Sequence, residues 1–377
     1  MKFTPALVAA FVGLAVAHPG HEEPEHELIS KREYNAHARR GLANCADVIA
    51  KRGDAARAHA RRTAKVEALR HKLRVRDTAT VLNTTHNSTE GYTRWTPDAV
   101  LFNTSSTCIL TPEGEVGPYW VKGEHIHDDI VEGQAGVPVV IEGQFLDIET
   151  CEPITNVWWD LWQCNATGVY SGIVESGNGN LDDTSNINTT FLRGIQKADD
   201  DGVVTFETIV PGHYSGRTNH NHMIAYLNAT VEANKTLSGG AYAHIGQLFW
   251  DQDLITKVEA TYPYNTNNIT QTTNAEDRVF GIESDAANAD PIIEYTQLGE
   301  SVSDGLFGWV TIVVNTTATN DPAYSFAYTS EGGVAETGGD SGSSAGTGGN
   351  GTSGGASPTG AAPTASLAKR AFEIDWR

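Results

Sequence analysis

No run in this chain approaches the roughly 18–20 consecutive apolar residues that a membrane-spanning helix requires. The end of the chain also lacks the hydrophobic tail of a lipid-anchor signal, so no membrane anchor is expected. Cysteine is scarce: Cys45, Cys108, Cys151 and Cys164 are the full complement, and no two stand as C-x-x-C. That removes the usual spacing of a zinc ribbon or a thioredoxin-like redox pair. Basic residues are sparse over most of the length. Of 26 Lys and Arg, 14 lie between Lys31 and Arg76, and residues 77–335 keep only eight. With a net charge of −21 the surface repels phosphate, so nucleic acid is not an expected partner.

What is present begins with a secretory pattern. Lys2 supplies a positive start, Ala6 to Ala17 is a short apolar run, and Ala15-Val16-Ala17 is a small-x-small cleavage site. Residues 1–17 therefore read as a signal peptide and 18–32, ending in Lys31-Arg32, as a pro-segment. N-x-S/T triplets at Asn83, Asn87, Asn103, Asn165, Asn188, Asn228, Asn234, Asn268, Asn315 and Asn350 suit a glycosylated, extracellular protein. Four cysteines in an oxidising compartment imply two disulfides. Of the three connectivities, Cys151–Cys164 with Cys45–Cys108 is the one expected.

Residues 33–76 are rich in Ala, Arg, Leu and Lys without proline and predict one or two helices, broken near Gly41 and Gly53. Residues 33–94 thus form a helical N-terminal region and linker. The basic character of this region could serve a polyanion-binding arm, but a helical pair packing through Leu42, Val48, Ile49, Val66, Leu69 and Leu73 explains it better. From 95 to 330 short runs of Val, Ile, Thr and aromatics alternate with Gly, Asn, Asp and Pro turns: Val137–Ile148, Asn156–Cys164, Val203–Val210, His222–Val231, Tyr242–Trp250 and Leu306–Val314. The fold class expected is mainly β, an antiparallel β-sandwich with long loops preceded by a short helical region. Within it Trp158 and Trp162 share strand parity and read as core, with Trp159 facing the other way. Residues 331–377 are a Gly/Ser-rich flexible tail.

The sharpest chemical feature is His220-Asn221-His222. On a strand, side chains two apart share a face, so two imidazoles can meet one metal. The spacing is weak evidence alone, since His125-Ile126-His127 has it too. Its neighbours add weight. Pro211-Gly212-His213-Tyr214 sets a tyrosine six residues before His220, and Gly168-Val169-Tyr170-Ser171 ends another aromatic strand. Two hard anionic phenolates with two imidazoles favour Fe(III), whereas structural zinc takes Cys and His and calcium takes carboxylate and carbonyl oxygen.

The ordered set of segments resembles the intradiol ring-cleavage dioxygenases, the catechol 1,2- and protocatechuate 3,4-dioxygenase-like enzymes, and looks closest to their secreted fungal branch. The matching pieces are Cys108-Ile109-Leu110-Thr111-Pro112-Glu113 leading to Gly117-Pro118-Tyr119, Cys151-Glu152-Pro153-Ile154, Gly168-Val169-Tyr170-Ser171, Val210-Pro211-Gly212-His213-Tyr214 and Arg217-Thr218-Asn219-His220-Asn221-His222. The resemblance implies non-haem Fe(III) held by Tyr170, Tyr214, His220 and His222, with Tyr214 leaving the metal to act as a base. It implies that Arg217 stabilises charge on the ring, that Gln247 lines the pocket, and that the reactants are a small aromatic diol and O2, giving a cis,cis-muconate. Tyr119 is expected to line the pocket. His213 and His127 depart from the family pattern and are expected at the pocket rim or surface. The helical region suits a homodimer, as in catechol-cleaving relatives. A second reading of the same chain is a non-catalytic secreted β-sandwich that binds cell-wall or plant polymers. No persuasive Ser/His/Asp grouping supports a hydrolase.

Overall fold

The computed structural model describes residues 51–76, 116–175, 177–285, 291–320, 322, 326–329 and 332–335. The expected signal peptide, pro-segment, Cys45, Cys108 and most of the tail lie outside them. Gly53, at φ 71°, interrupts the helical stretch at one of the two glycines where a break was expected, and α1 runs Asp54–Arg76. Strands follow: β1 (Val121–Lys122), β2 (Pro138–Asp147), β3 (Val157–Trp162), β4 (Arg193–Lys197), β5 (Val203–Ile209), β6 (His220–Leu227), β7 (Thr230–Val231), β8 (Leu237–Ser238) and β9 (Ala241–Phe249). Helices α2 (Gln252–Glu259) and α3 (Arg278–Asp285) precede β10 (Glu294–Gln297), β11 (Leu306–Val314), β12 (Phe326–Thr329) and β13 (Gly332–Ala335).

Two four-stranded sheets, β10-β11-β2-β5 and β4-β3-β6-β9, make the sandwich. Alternate residues of each enter one core: Val139, Ile141 and Phe145 from β2 meet Trp159, Leu161, Met223 and Ala225 from β3 and β6. The expectation of an antiparallel sandwich is modified at one pair. β2 and β11 run parallel from Val139↔Leu306 to Asp147↔Val314. No hairpin joins these strands, so hairpin geometry does not set their direction. The expected tail also begins too early, because Gly332–Ala335 pairs antiparallel with Phe326–Thr329.

The second sheet is buried on both faces. Every residue of β6 is buried, since its outer face carries a second cluster of Trp158, Trp162, Ile224, Tyr226 and Ile245 beneath Tyr119, Trp120, Tyr170 and Tyr214. The three tryptophans are core as expected, Trp158 and Trp162 in one cluster and Trp159 in the other. On the outer face of the first sheet α1 buries Val66 and Leu69. Arg61 and Arg62 of α1 reach Glu142 at 3.1 and 2.9 Å, and Arg57 reaches Asp201 at 3.3 Å. These basic residues therefore pair with carboxylates of the same chain. Among the described residues no helix is long and apolar enough to cross a membrane.

The Cys151–Cys164 pairing is not made. Cys164 is a free, buried thiol, while Cys151 is disulfide-bonded to a partner outside the described residues. Cys164 donates to the Gly212 carbonyl at 3.3 Å. Burial pushes this thiol well above its ordinary range, so it stays protonated.

Candidate metal centre

Two loops carry the tyrosines onto the outer face of the second sheet. After β3, Asn165 Oδ1 accepts from the backbone N–H groups of Thr167 and Val169, both at 3.0 Å, and folds the turn that delivers Tyr170. Asn178 then clamps the Tyr170 backbone, accepting from its N–H at 2.6 Å and donating to its carbonyl at 2.9 Å. After β5, Pro211 to Tyr214 lies directly against this turn. A Cβ on Gly168, whose φ is 84°, would sit 2.3 Å from the His213 carbonyl oxygen, and one on Gly212 would sit 2.5 Å from that of Ala166. Only hydrogen at both positions lets the two loops close enough for the tyrosines to meet.

Strand β6 supplies the imidazoles. Tyr214 Oη lies 3.2 Å from His220 Nε2, His220 Nε2 lies 3.1 Å from His222 Nε2, and His222 Nε2 lies 3.1 Å from Tyr170 Oη. All four side chains are essentially inaccessible to solvent. His220 Nδ1 is 2.6 Å from the Thr218 carbonyl, which can only accept. Nδ1 therefore carries the proton, and in the neutral ring Nε2 presents a lone pair to the cluster. His222 lies flat on Trp162, with ring centroids 4.9 Å apart and planes 8° from parallel.

These donors fit one ion. Atoms each about 2 Å from a shared metal sit roughly 3 Å apart when adjacent, which is the spacing here. Among the described residues no group of three or more His, Cys, Asp and Glu side chains could hold a metal ion, so a metal at this cluster has to use the phenols. Burial, then the neighbouring Tyr214, pushes Tyr170 well above the ordinary phenol range. Burial also raises Tyr214, with Arg217 pulling the other way. Two phenolates in so dry a place would need a cation, and a highly charged ion would supply it.

Around the four donors, Arg217 extends Nη1 to Tyr214 Oη at 3.3 Å and Nη2 to Gln247 Oε1 at 2.5 Å. Gln247 stands opposite His222 across β6 and β9. Tyr119 is buried and packs its ring 4.8 Å from that of Tyr170 and 5.6 Å from that of Tyr214, which sets it beside the cluster. Burial, Glu175 and Cys164 push its hydroxyl up to about 12. His213 does not sit at a rim. It is buried, and its two nitrogens contact Glu259 Oε1 at 2.8 Å and the Ile269 carbonyl at 2.9 Å. Burial opposes its charge, but those two acceptors outweigh burial and leave its pKa raised. His127 is committed to the Arg193 carbonyl at 2.8 Å.

The sequence reading passed over Arg193, Asn178, Glu259 and Asp277. Arg193 donates to Glu124, Ser171 and the Tyr119 carbonyl and lies 5.7 Å from the Tyr170 ring centre. It was findable, because in a stretch with so few basic residues a lone arginine between apolar neighbours asks for a buried partner. The other three carry no local signal.

A family model described as Dioxygenase matches residues 116–275, the span that holds all four donors, Arg217 and Gln247. An intradiol ring-cleavage dioxygenase from Tetranychus urticae is 31% identical over 57% of this chain and 98% of its own, with a TM-score of 0.48. The chain belongs to the intradiol ring-cleavage dioxygenase family. Sequence identity of 31% across 98% of the Tetranychus urticae protein decides it. This intradiol dioxygenase is accordingly an oxidoreductase that cleaves aromatic rings of the catechol type. More distant likenesses include a hydroxyquinol 1,2-dioxygenase from Pseudomonas putida DLL-E4, 18% identical over 58% of this chain and 70% of its own, TM-score 0.36. A catechol 1,2-dioxygenase from Pseudomonas arvilla C-1 is 18% identical over 55% and 62%, TM-score 0.36. Neither bears on the substrate. No curated protein sequence matches the chain.

Proposed function

We propose that this intradiol dioxygenase holds ferric iron between Tyr170, Tyr214, His220 and His222. With O2 it would open small aromatic diols between the two hydroxyl-bearing carbons, giving cis,cis-muconate-type products outside the cell. The observation that carries the reading is the contact chain from Tyr214 Oη through both Nε2 atoms to Tyr170 Oη, every step 3.1–3.2 Å. Ferric iron, when bound, supplies a Lewis acid that makes the diol hydroxyls acidic and the ring electron-rich toward O2. The protein groups do the rest. Tyr214 takes a diol proton at Oη, and burial makes that oxygen a strong base once deprotonated. Arg217, 3.3 Å from the same oxygen, offsets negative charge as it develops. Tyr119, packed against both phenol rings, helps to keep water from them.

Neutral catechols or hydroxyquinol fit better than a ring with its own carboxylate. The two guanidinium groups beside the cluster are already paired, Arg193 with Glu124 and Arg217 with Asp277, each at 2.9 Å. Comparable turnover of catechol, hydroxyquinol and protocatechuate would defeat this preference. The signal-like leader and sequons at exposed positions such as Asn234 and Asn268 support secretion. A eukaryotic host is expected to release glycosylated protein trimmed after the leader, detectable by mass spectrometry. For the central reading, purified protein is expected to be red-brown and to convert catechol to muconate with uptake of O2. A colourless, iron-free protein that stays inert after iron is restored would overturn it.

A further inference from the structure

We propose that Asp277 is a positioning residue that sets both Arg217 and His220, an inference that rests on the ring-cleaving function above. Asp277 lies two residues past the span 116–275 that the family model matches. Its side chain is wholly buried beside that of Arg217. One carboxylate there serves four N–H groups. Oδ2 accepts from Arg217 Nε at 2.9 Å and from the Thr218 backbone at 2.8 Å, while Oδ1 accepts from the Val279 and Phe280 backbones at 2.8 and 3.0 Å, in the first turn of α3.

The first pair aims the site. A guanidinium is planar, so anchoring Nε fixes the directions of both Nη groups. With Nε on Asp277, Nη1 turns to Tyr214 Oη and Nη2 to Gln247 Oε1. The Thr218 bond fixes the residue whose carbonyl receives His220 Nδ1–H at 2.6 Å. It does so together with Asn274, which accepts from Thr218 Oγ1 at 2.7 Å. The second pair ties this carboxylate to α3. Phe280 sets its edge on Phe249, whose ring packs 5.8 Å from that of His220. Helix α3 and its leading aspartate thus support the arginine and one imidazole from the side away from the donors.

Capping α3 and aiming Arg217 are separable. Serine caps a helix about as well as aspartate but cannot reach Arg217 with a charge. Asp277→Ser is therefore expected to keep α3 formed but to lower the thermal midpoint, because buried Arg217 loses its counter-charge, while kcat on catechol falls about 100-fold, the size of effect a misplaced catalytic group produces. KM is expected to stay within about threefold, since the lost contact acts in the transition state. The tyrosinate-to-iron absorption band should shift, because Arg217 borders Tyr214 Oη. In an Arg217→Ala background Asp277→Ser should lower kcat by clearly less than it does with Arg217 present, the remainder passing through Thr218 to His220. Asp277→Asn, nearly isosteric, carries the same comparison if the serine variant does not fold, since its amide turned to Arg217 opposes donor to donor. Wild-type kcat and an unmoved band in Asp277→Ser, or an equal further loss of kcat without Arg217, would overturn the proposal and leave Asp277 a helix cap. A wild-type protein without iron or ring cleavage instead fails the functional reading and takes this one with it.

Discussion

His222 is held flat by Trp162, His220 by the Thr218 carbonyl, and the Tyr170 backbone by Asn178, so three of the four donors are fixed from behind before any ion arrives. Tyr214 is different. Its hydroxyl meets only groups of the site itself in the contacts described above, His220 on one side and Arg217 on the other. That suits a ligand that releases to become a base. Tyr214→Phe is expected to weaken the visible band without abolishing it and to lower kcat by about 10²–10³, in the range of a lost general base. Unchanged kcat in steady-state assays would remove Tyr214 from the proton path. A second residue-scale effect lies at His244 on β9. Its ring is fully buried, neither nitrogen has a hydrogen-bond partner, and burial lowers its pKa to about 4. The unfolded chain takes up this proton near pH 6.5 and the folded protein only near 4. Stability from the neutral ring is therefore full above about 6.5 and lost as pH falls toward 4. Relative to wild type, His244→Leu should gain about 3 kcal/mol between pH 7 and pH 4 in denaturant titrations. An equal pH dependence of the two proteins would show that the ring is not buried neutral.

At the scale of elements, the site depends on two loops closing at glycine. Gly168→Ala forces a side chain into a left-handed backbone and onto the His213 carbonyl. A strained position of this kind costs on the order of 1–3 kcal/mol, and separating the loops spreads Tyr170 from Tyr214. Thermal melts should show lower stability, and iron binding measured against a chelator should weaken more than stability alone accounts for. Iron affinity equal to wild type would mean the loops tolerate the spread. The long strands were legible because runs of β-branched and aromatic residues, set off by turn residues, mark β2, β3, β5, β9 and β11. Three kinds of element escaped: the short edge strands, whose length leaves no period to read; α2 and α3, eight residues each, which hold too few turns for a clear stripe; and the parallel pairing of β2 with β11, which no local signal encodes.

For the whole molecule, the acidic balance sets the field a substrate meets. A net charge of −21 with eight basic residues in 77–335 should slow entry of a carboxylated diol relative to catechol. Salt screens such a field over about 10 Å at 0.1 M. The catechol to protocatechuate ratio of kcat/KM is therefore expected to narrow as sodium chloride rises from about 0.02 to 0.5 M. A ratio that ignores salt would assign selectivity to contacts within the pocket alone. The same scale explains why the basic stretch was open to two readings in sequence. Charge composition is local, whereas its partners, Glu142 and Asp201, sit 80 or more residues away.

The order of residues alone determined the β-rich class, the long strands, and the two tyrosines and two histidines as a candidate donor set, because side-chain periodicity and short motifs are properties of neighbouring residues. Folding decided what depends on distance through space. It left Cys164 a free thiol, turned His213 into the interior, and brought Arg193 and Asp277 to the back of the site from 23 and 63 positions beyond Tyr170 and Tyr214. A buried charge is tolerated only where an opposite charge meets it, and that meeting is settled by register and loop closure.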